Sequence, residues 1–244
     1  DADVHFPDKV VCSTAAVSDQ EVVMDLMDQL DLTYVMDRGY INFSHFRRWK
    51  EENRKFVVRV KAGNKFTILK TRPQPVNSKI LLDADVTVTD KKDGKTVTLR
   101  LVEFEDDKEK RYRLITNRWD MEAETVTAIY RLRWQIELFF KWMKQHLNTI
   151  KLHNYKPEAV WNQIYLSLIA FSLCELIRLL MAPKKSRWAL LRLMRLYLEK
   201  SWETFIAELN AEPERTSKGR VKKKPRGRPR TRAEVIKPQK IIQK

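Results

Sequence analysis

Between Ile129 and Leu147 the chain carries two stripes at helical spacing, and together they restrict what it can fold into. At about 100° per residue, Tyr130, Arg133, Glu137 and Lys144 fall within about 60° of one another, and Lys141 joins the same arc. Ile129, Leu132, Ile136, Phe139, Phe140, Met143 and Leu147 cluster on another face. The pattern predicts one helix, Tyr130 to Lys144, whose apolar stripe packs into a core. Its other stripe presents one carboxylate among cations and a phenol. A lone acid surrounded by phosphate-binding groups suits metal-dependent chemistry on a phosphate backbone.

The rest of the chain divides by its hydropathy pattern. Residues 1–61 alternate. Lys9 to Ala15 reads as a short strand. Ser18 and Glu21 form a capping box that opens a helix running through Leu30. Leu32 to Met36 is a strand ending in Asp37-Arg38-Gly39-Tyr40, Ser44 caps a helix through Trp49, and Phe56 to Val60 is a further strand. Strand–helix alternation predicts an α/β fold. Residues 62–118 change character: Phe66–Leu69, Ile80–Thr89, Thr96–Phe104 and Arg111–Thr116 alternate as strands, with a hairpin signal at Asp93-Gly94. They read as a small antiparallel insertion. Helices return over 119–182, including an apolar helix from Pro157 to Met181. Its most apolar part, Ile164 to Cys174, is too short to span a bilayer and is expected to be a buried core helix. Two short helices capped by Ser186 and Ser201 fill 183–211. Residues 212–244 are basic, broken by prolines and predicted to be disordered.

Charge follows that division. The chain carries +16, and Arg215 to Lys244 hold thirteen Lys/Arg against one acid, Glu234. The tail therefore points to a polyanion partner, whereas the remainder is closer to neutral. Cys12 and Cys174 lack Cys or His partners at zinc spacing, which excludes a disulfide framework or zinc finger and fits a reducing compartment. His5, His45, His146 and His153 make no ligand pattern. Trp161, Trp188 and Trp202 are expected to pack between helices. Trp119 is expected in the core, with base stacking as the other reading.

Two acids are candidates for chemistry. Asp37 follows a strand, where catalytic groups gather in α/β sheets; an ordinary turn-forming Asp before Gly39 reads equally well from the residues alone. Glu137 can act within its cationic stripe, or simply make i,i+4 pairs with Arg133 and Lys141.

Taken together, Tyr130-x2-Arg133-x3-Glu137-x6-Lys144 resembles the Y-R-E-K signature of bacterial insertion-sequence DDE transposases. Tyr34-Val35-Met36-Asp37-Arg38-Gly39-Tyr40 resembles the strand carrying that family's second Asp, and Leu114-Ile115-Thr116-Asn117 the return from its β-rich insertion. The resemblance spans roughly residues 1–180. It implies a ribonuclease H-like catalytic domain, interrupted by the insertion, that cuts and joins DNA at insertion-sequence ends. Asp37 and Glu137 would be the second and third acids of the triad and would ligate Mg²⁺ or Mn²⁺ in a two-metal site. Tyr130, Arg133 and Lys144 would bind phosphates, with Lys141 nearby. A homodimer on paired double-stranded DNA ends, a cytoplasmic, nucleoid-associated location and no membrane contact are implied as well.

One departure tempers this. The family's first Asp should lie on a strand well upstream of Asp37, and neither Asp1 nor Asp3 resembles it. The chain therefore reads as N-terminally truncated, with little or no cleavage activity of its own. The rival reading is a non-catalytic DNA-binding remnant; another ribonuclease H-like nuclease is a third. In the tail, Arg226-Gly227-Arg228-Pro229 resembles an AT-hook, with Arg226 and Arg228 entering the minor groove; a generic polybasic tail binding by counterion release is the alternative.

Overall fold

A computed structural model describes residues 6–13, 16–74, 78–90, 93–147, 151–181 and 185–212. Arg226 and Arg228, with the whole basic tail, lie outside the described residues. Helix α1 (Asp19–Leu26) precedes strand β1 (Thr33–Met36), a 3-10 turn (Arg38–Tyr40), helix α2 (Phe43–Glu51) and strand β2 (Lys55–Arg59). Four further strands follow: β3 (Thr67–Thr71), β4 (Ile80–Thr89), β5 (Thr96–Glu105) and β6 (Arg111–Thr116). Helices α3 (Ala123–Leu132), α4 (Trp134–His146), α5 (Pro157–Met181), α6 (Arg187–Leu196) and α7 (Trp202–Asn210) complete the mixed α/β architecture.

All six strands join one sheet in the order β1-β2-β6-β5-β4-β3. β1 and β2 are parallel, with Val35 opposite Val57, and every other pairing is antiparallel. The antiparallel segment is thus hydrogen-bonded into the same sheet as β1 and β2, through Val58 opposite Ile115. The β4–β5 connection turns at Gly94, whose φ of 69° is open to glycine and strained for most other residues.

Strand alternation assigns the two faces. Phe56, Val58, Val86, Leu99 and Ile115 point to one side, where they meet Phe46 and Trp49 of α2 and Val23 and Met27 at the α1 end. Phe46 stacks on Phe56 at 5.4 Å, and Trp49 meets Phe56 edge-on at 5.3 Å. Burying each such ring is worth about 1.5–3 kcal/mol. Val57, Val102 and Leu114 point to the other side, against Ala123, Val126 and Tyr130 of α3.

A buried ion pair fixes where α3 begins. Arg100 donates to both carboxylate oxygens of Asp83, at 2.8 and 2.7 Å. Its remaining Nη1 donates to the carbonyls of Arg118 (2.8 Å) and Met121 (2.5 Å). Arg118 in turn bonds Asp120 and the Thr33 hydroxyl at the start of β1. Trp119 sits against the α2-side core and donates to Asp85 at 2.8 Å, so its role is packing.

Several local expectations are corrected. Residues 9–13 form no strand. Ser18 is the N-cap of α1, but its hydroxyl bonds the Glu21 side chain at 3.2 Å instead of a backbone N–H, so the capping box does not close. α1 ends at Leu26, before Leu30. Asn42, not Ser44, caps α2, its Oδ1 accepting from the Ser44 N–H at 3.1 Å. Ser186 and Ser201 do cap α6 and α7. Trp202 is largely exposed, stacked only on Phe205 at 5.3 Å.

α5 departs furthest from expectation. It is 25 residues long, and among the described residues it is the one helix long and apolar enough to cross a membrane. It is not a buried core helix: Leu166, Ile169, Leu173, Leu176 and Leu180 are exposed. One side is packed, where Phe171 meets Phe139 at 4.8 Å and Trp142 at 5.3 Å and Cys174 meets α6 and α7; another borders the N-terminal segment, with Cys12 Sγ 2.8 Å from the Tyr165 hydroxyl. Glu175 is fully buried on that side and held by Arg178 and Arg187.

Candidate active site

Asp37 stands one residue beyond β1, at the C-terminal end of the parallel pair. Its carboxylate caps the 3-10 turn, with Oδ1 accepting from the Gly39 N–H at 2.7 Å. A Cβ on Gly39 would stand 3.0 Å from that oxygen, so glycine lets the carboxylate fold back over the turn. The Gly39 carbonyl accepts from Gln20 of α1 at 2.8 Å, which ties the turn to that helix. Tyr40 lies beside the same carboxylate: burial raises its pKa, and the charges of Asp19 and Asp37 raise it further.

The predicted single helix is interrupted at Arg133. That residue has φ −52° and ψ −29°, and the Arg133 N–H bonds the Tyr130 carbonyl at 3.1 Å, three residues back. The Ile136 N–H likewise bonds the Arg133 carbonyl at 3.2 Å. One tightened 3-10-type turn therefore joins α3 to α4.

That joint separates the signature residues. Tyr130 is 5 % exposed and packs in the core between α3 and the sheet, its ring 6.3 Å from Tyr112. Among the described residues its hydroxyl is buried without a hydrogen bond of good geometry, as is Nε of Arg133, although the hydroxyl lies close enough to Arg133 to favour its charge. The Arg133 guanidinium lies 5.8 Å from the Tyr130 ring and donates to Glu137 at 2.8 Å. Burial opposes the arginine's charge, but the Glu137 hydrogen bond and the phenol outweigh it and its pKa is raised. Glu137, Lys141 and Lys144 are exposed. The structure thus links Tyr130, Arg133 and Glu137 in one row that runs from core to solvent, with Lys141 and Lys144 further along α4.

The apolar stripe is not packed as its spacing predicted. Met143 is buried, whereas Leu132, Ile136 and Phe140 are 39, 48 and 53 % exposed.

No hydrogen bond or shared partner joins Asp37 to Glu137, and the described residues contain no group of three or more His, Cys, Asp or Glu that could hold a metal ion. Carboxylate oxygen is the right donor for a hard divalent cation. Two separate carboxylates, one of them engaged by Arg133, do not make a complete set of ligands. Spacing alone also missed a row of cations at the same end of the sheet as Asp37. Arg38, Arg59, Lys61 and Lys65 line an open groove there.

The family described as the transposase DDE domain matches residues 1–173. The chain belongs to that family. A protein of Geobacillus stearothermophilus named "Probable transposase for insertion sequence element IS5377" is 32 % identical over 141 residues, covering 57 % of this chain and 37 % of that protein. The transposase-named protein y4zB of Sinorhizobium fredii is 28 % identical over 181 residues, or 72 % of this chain and 51 % of that one. A Synechocystis protein named for the transposase of insertion sequence element IS4SA is 31 % identical over 174 residues, 68 % and 46 % of the two chains. This DDE transposase domain therefore spans between about a third and a half of the relatives it matches.

Proposed function

We propose that this transposase domain serves metal-dependent cleavage and joining of DNA at insertion-sequence ends. It would supply two of the acids, Asp37 and Glu137, within a ribonuclease H-like fold. The observation that carries this reading is the Tyr130–Arg133–Glu137 row. A buried phenol and a guanidinium hold one carboxylate at the surface, and Lys141 and Lys144 continue the row along α4. Arg133, Lys141 and Lys144 are donors suited to phosphate oxygens and would keep a DNA backbone in register. Tyr130 positions Arg133 by its ring and by its hydroxyl, which lies beside the guanidinium. Mg²⁺ or Mn²⁺ would be held by Asp37 and Glu137 with further oxygen ligands; when bound, two such ions activate the attacking oxygen and stabilise the leaving one. Arg133 must release Glu137 for that carboxylate to take a metal, and a phosphate is the natural partner to draw it away. Function as a homodimer on paired ends in the bacterial cytoplasm, near the nucleoid, belongs to the same reading, as does A·T-rich DNA binding by Arg226 and Arg228.

The second reading is a non-catalytic, DNA-binding role for this chain acting alone, and the specific observation on its side is the Arg133 ion pair that occupies Glu137. Both readings are tested by one assay. A plasmid carrying the DNA that flanks the coding sequence is incubated with the chain and Mg²⁺ or Mn²⁺, and strand cleavage is measured. Little or no cleavage with retained DNA binding is expected. Robust cleavage abolished by Glu137→Gln would establish catalysis by the chain alone, and loss of all DNA binding would remove both readings.

A further inference from the structure

Resting on the DNA-binding part of that reading, we infer that the groove beside Asp37 is a second phosphodiester track, distinct from the α4 row. It receives the DNA backbone as it leaves the reacting phosphate. The groove is open, about 900 Å³ in volume, and six cations line it: Arg38, Arg59, Lys61, Lys65, Arg111 and Arg113. Glu103 is the single acid on its wall.

Sheet topology places it. β1 and β2 run parallel, so Arg59 at the C-terminal end of β2 lies at the same end of the sheet as Asp37. β6 runs antiparallel to β2 and starts at that end with Arg111. Arg38, the residue after Asp37, opens the groove.

The groove's cations divide into builders and binders. Arg113 is committed: it pairs with Glu103 at 2.6 Å, donates to the carbonyls of Ala62 and Asn64 at 2.8 Å each, and lies over the Phe66 ring. It thereby fixes the 60–66 loop, which also closes on itself through Lys61 N–H to Asn64 Oδ1 at 3.0 Å. Arg111 pairs with Glu105 at 2.9 Å. Arg59 is spread over the Tyr112 ring at 4.6 Å, which orients it without neutralising it. Among the described residues no acid lies within ion-pair distance of Arg38, Arg59, Lys61 or Lys65. Four like charges held on a fixed wall repel one another, and a phosphate chain relieves that repulsion. The groove is open and its cations are spread from Arg38 after β1 to Arg111 on β6, which suits a continuous backbone more than a single small anion.

Fluorescence anisotropy of the full chain on a labelled, mixed-sequence DNA duplex, measured across salt concentrations, tests this. Lys61→Glu/Lys65→Glu is compared with Lys79→Glu/Lys108→Glu, which reverses the same number of charges on lysines that do not line the groove. Each lost phosphate contact lowers the slope of log affinity against log salt by about 0.9. The groove pair should lower it by nearly two and weaken binding at least tenfold, while the control pair changes affinity less than threefold. Lys61→Gln/Lys65→Gln guards against misfolding, since the side chains of both lysines are exposed; it should give the same loss of slope with an unchanged circular dichroism spectrum. Equal effects of groove and control pairs, or an unchanged slope, would overturn the inference. Failure of the wild-type chain to bind DNA at all would instead remove the proposed function itself, and a groove effect without any metal-dependent cleavage would leave the track standing alone.

Discussion

Replacing Asp83 with Asn should unfold this domain far more readily than a surface change would. Asp83 and Arg100 are nearly dry, with side chains 6 and 3 % exposed, and they meet through two short hydrogen bonds. Removing one partner of such a buried pair strands the other charge, at a cost of about 3–5 kcal/mol. Asp85 is already engaged by Arg72 and Trp119, so it does not neutralise Arg100 in place of Asp83; Arg72, 4.0 Å from Asp83, adds a second cation to the cluster. Against a total stability of about 5–15 kcal/mol, that is a third or more of the whole. With a urea dependence of about 2–3 kcal/mol per molar, the midpoint should fall by roughly 1–2 M. Tryptophan fluorescence reports it directly, because Trp49 and Trp119 sit in the adjoining core. Asp83→Leu/Arg100→Met should recover part of the loss, since an apolar pair strands no charge, but it leaves the Arg118 and Met121 carbonyls without their donor. A midpoint shift of Asp83→Asn below about 0.3 M would refute the reasoning, because it would mean that the site is hydrated and the pair is not held dry.

Three further outcomes are expected. Gly39→Ala should leave the fold intact but turn the Asp37 carboxylate off the Gly39 N–H, because the new methyl meets Oδ1 at 3.0 Å; an unchanged Asp37 carboxyl-carbon shift by NMR would contradict it. Tyr130→Phe should cost less than about 1 kcal/mol in urea unfolding, since among the described residues the hydroxyl it removes makes no hydrogen bond of good geometry, yet lower DNA affinity if the phenol reaches phosphate; a large stability loss would point to a stronger bond to Arg133. Arg118 holds Asp120 down to about 2 from 3.8, so its stabilisation is complete above 3.8 and is lost as pH falls toward 2. Asp120 is mostly exposed, so water screening limits the effect to under about 1 kcal/mol; a stability–pH curve of Asp120→Asn that keeps the full acid slope would contradict it.

The strands of the sheet are legible where apolar and polar residues alternate over most of their length: β4, β6 and the span of α5 fall where the pattern predicts. Asp37 at a strand end and the Arg133–Glu137 pair were legible too. Three things were not. A projection at 100° per residue barely registers one tightened turn, so the break at Arg133 and the burial of Tyr130 were invisible. Apolar spacing says that a face wants cover but not that it finds any, hence the exposed Leu132, Ile136, Phe140 and α5 leucines. The cationic groove draws on Arg38, Arg59, Lys61, Lys65 and Arg111, which no local spacing unites; only the register of β2 against β6 brings them to one end of the sheet.

The joint at Arg133 has a mechanical consequence. The phenol of Tyr130 is clamped between α3 and the sheet, so it sets the rotational phase at which α4 departs. Glu137 lies one turn beyond the joint and turns with it. A small rocking of α3 on the strands would therefore swing that carboxylate through a larger arc than the rocking itself. The same tight turn that hides the phenol makes the acid's aim depend on how firmly the sheet is gripped from behind, and substrate bound anywhere along the strand ends could adjust that aim without touching Glu137.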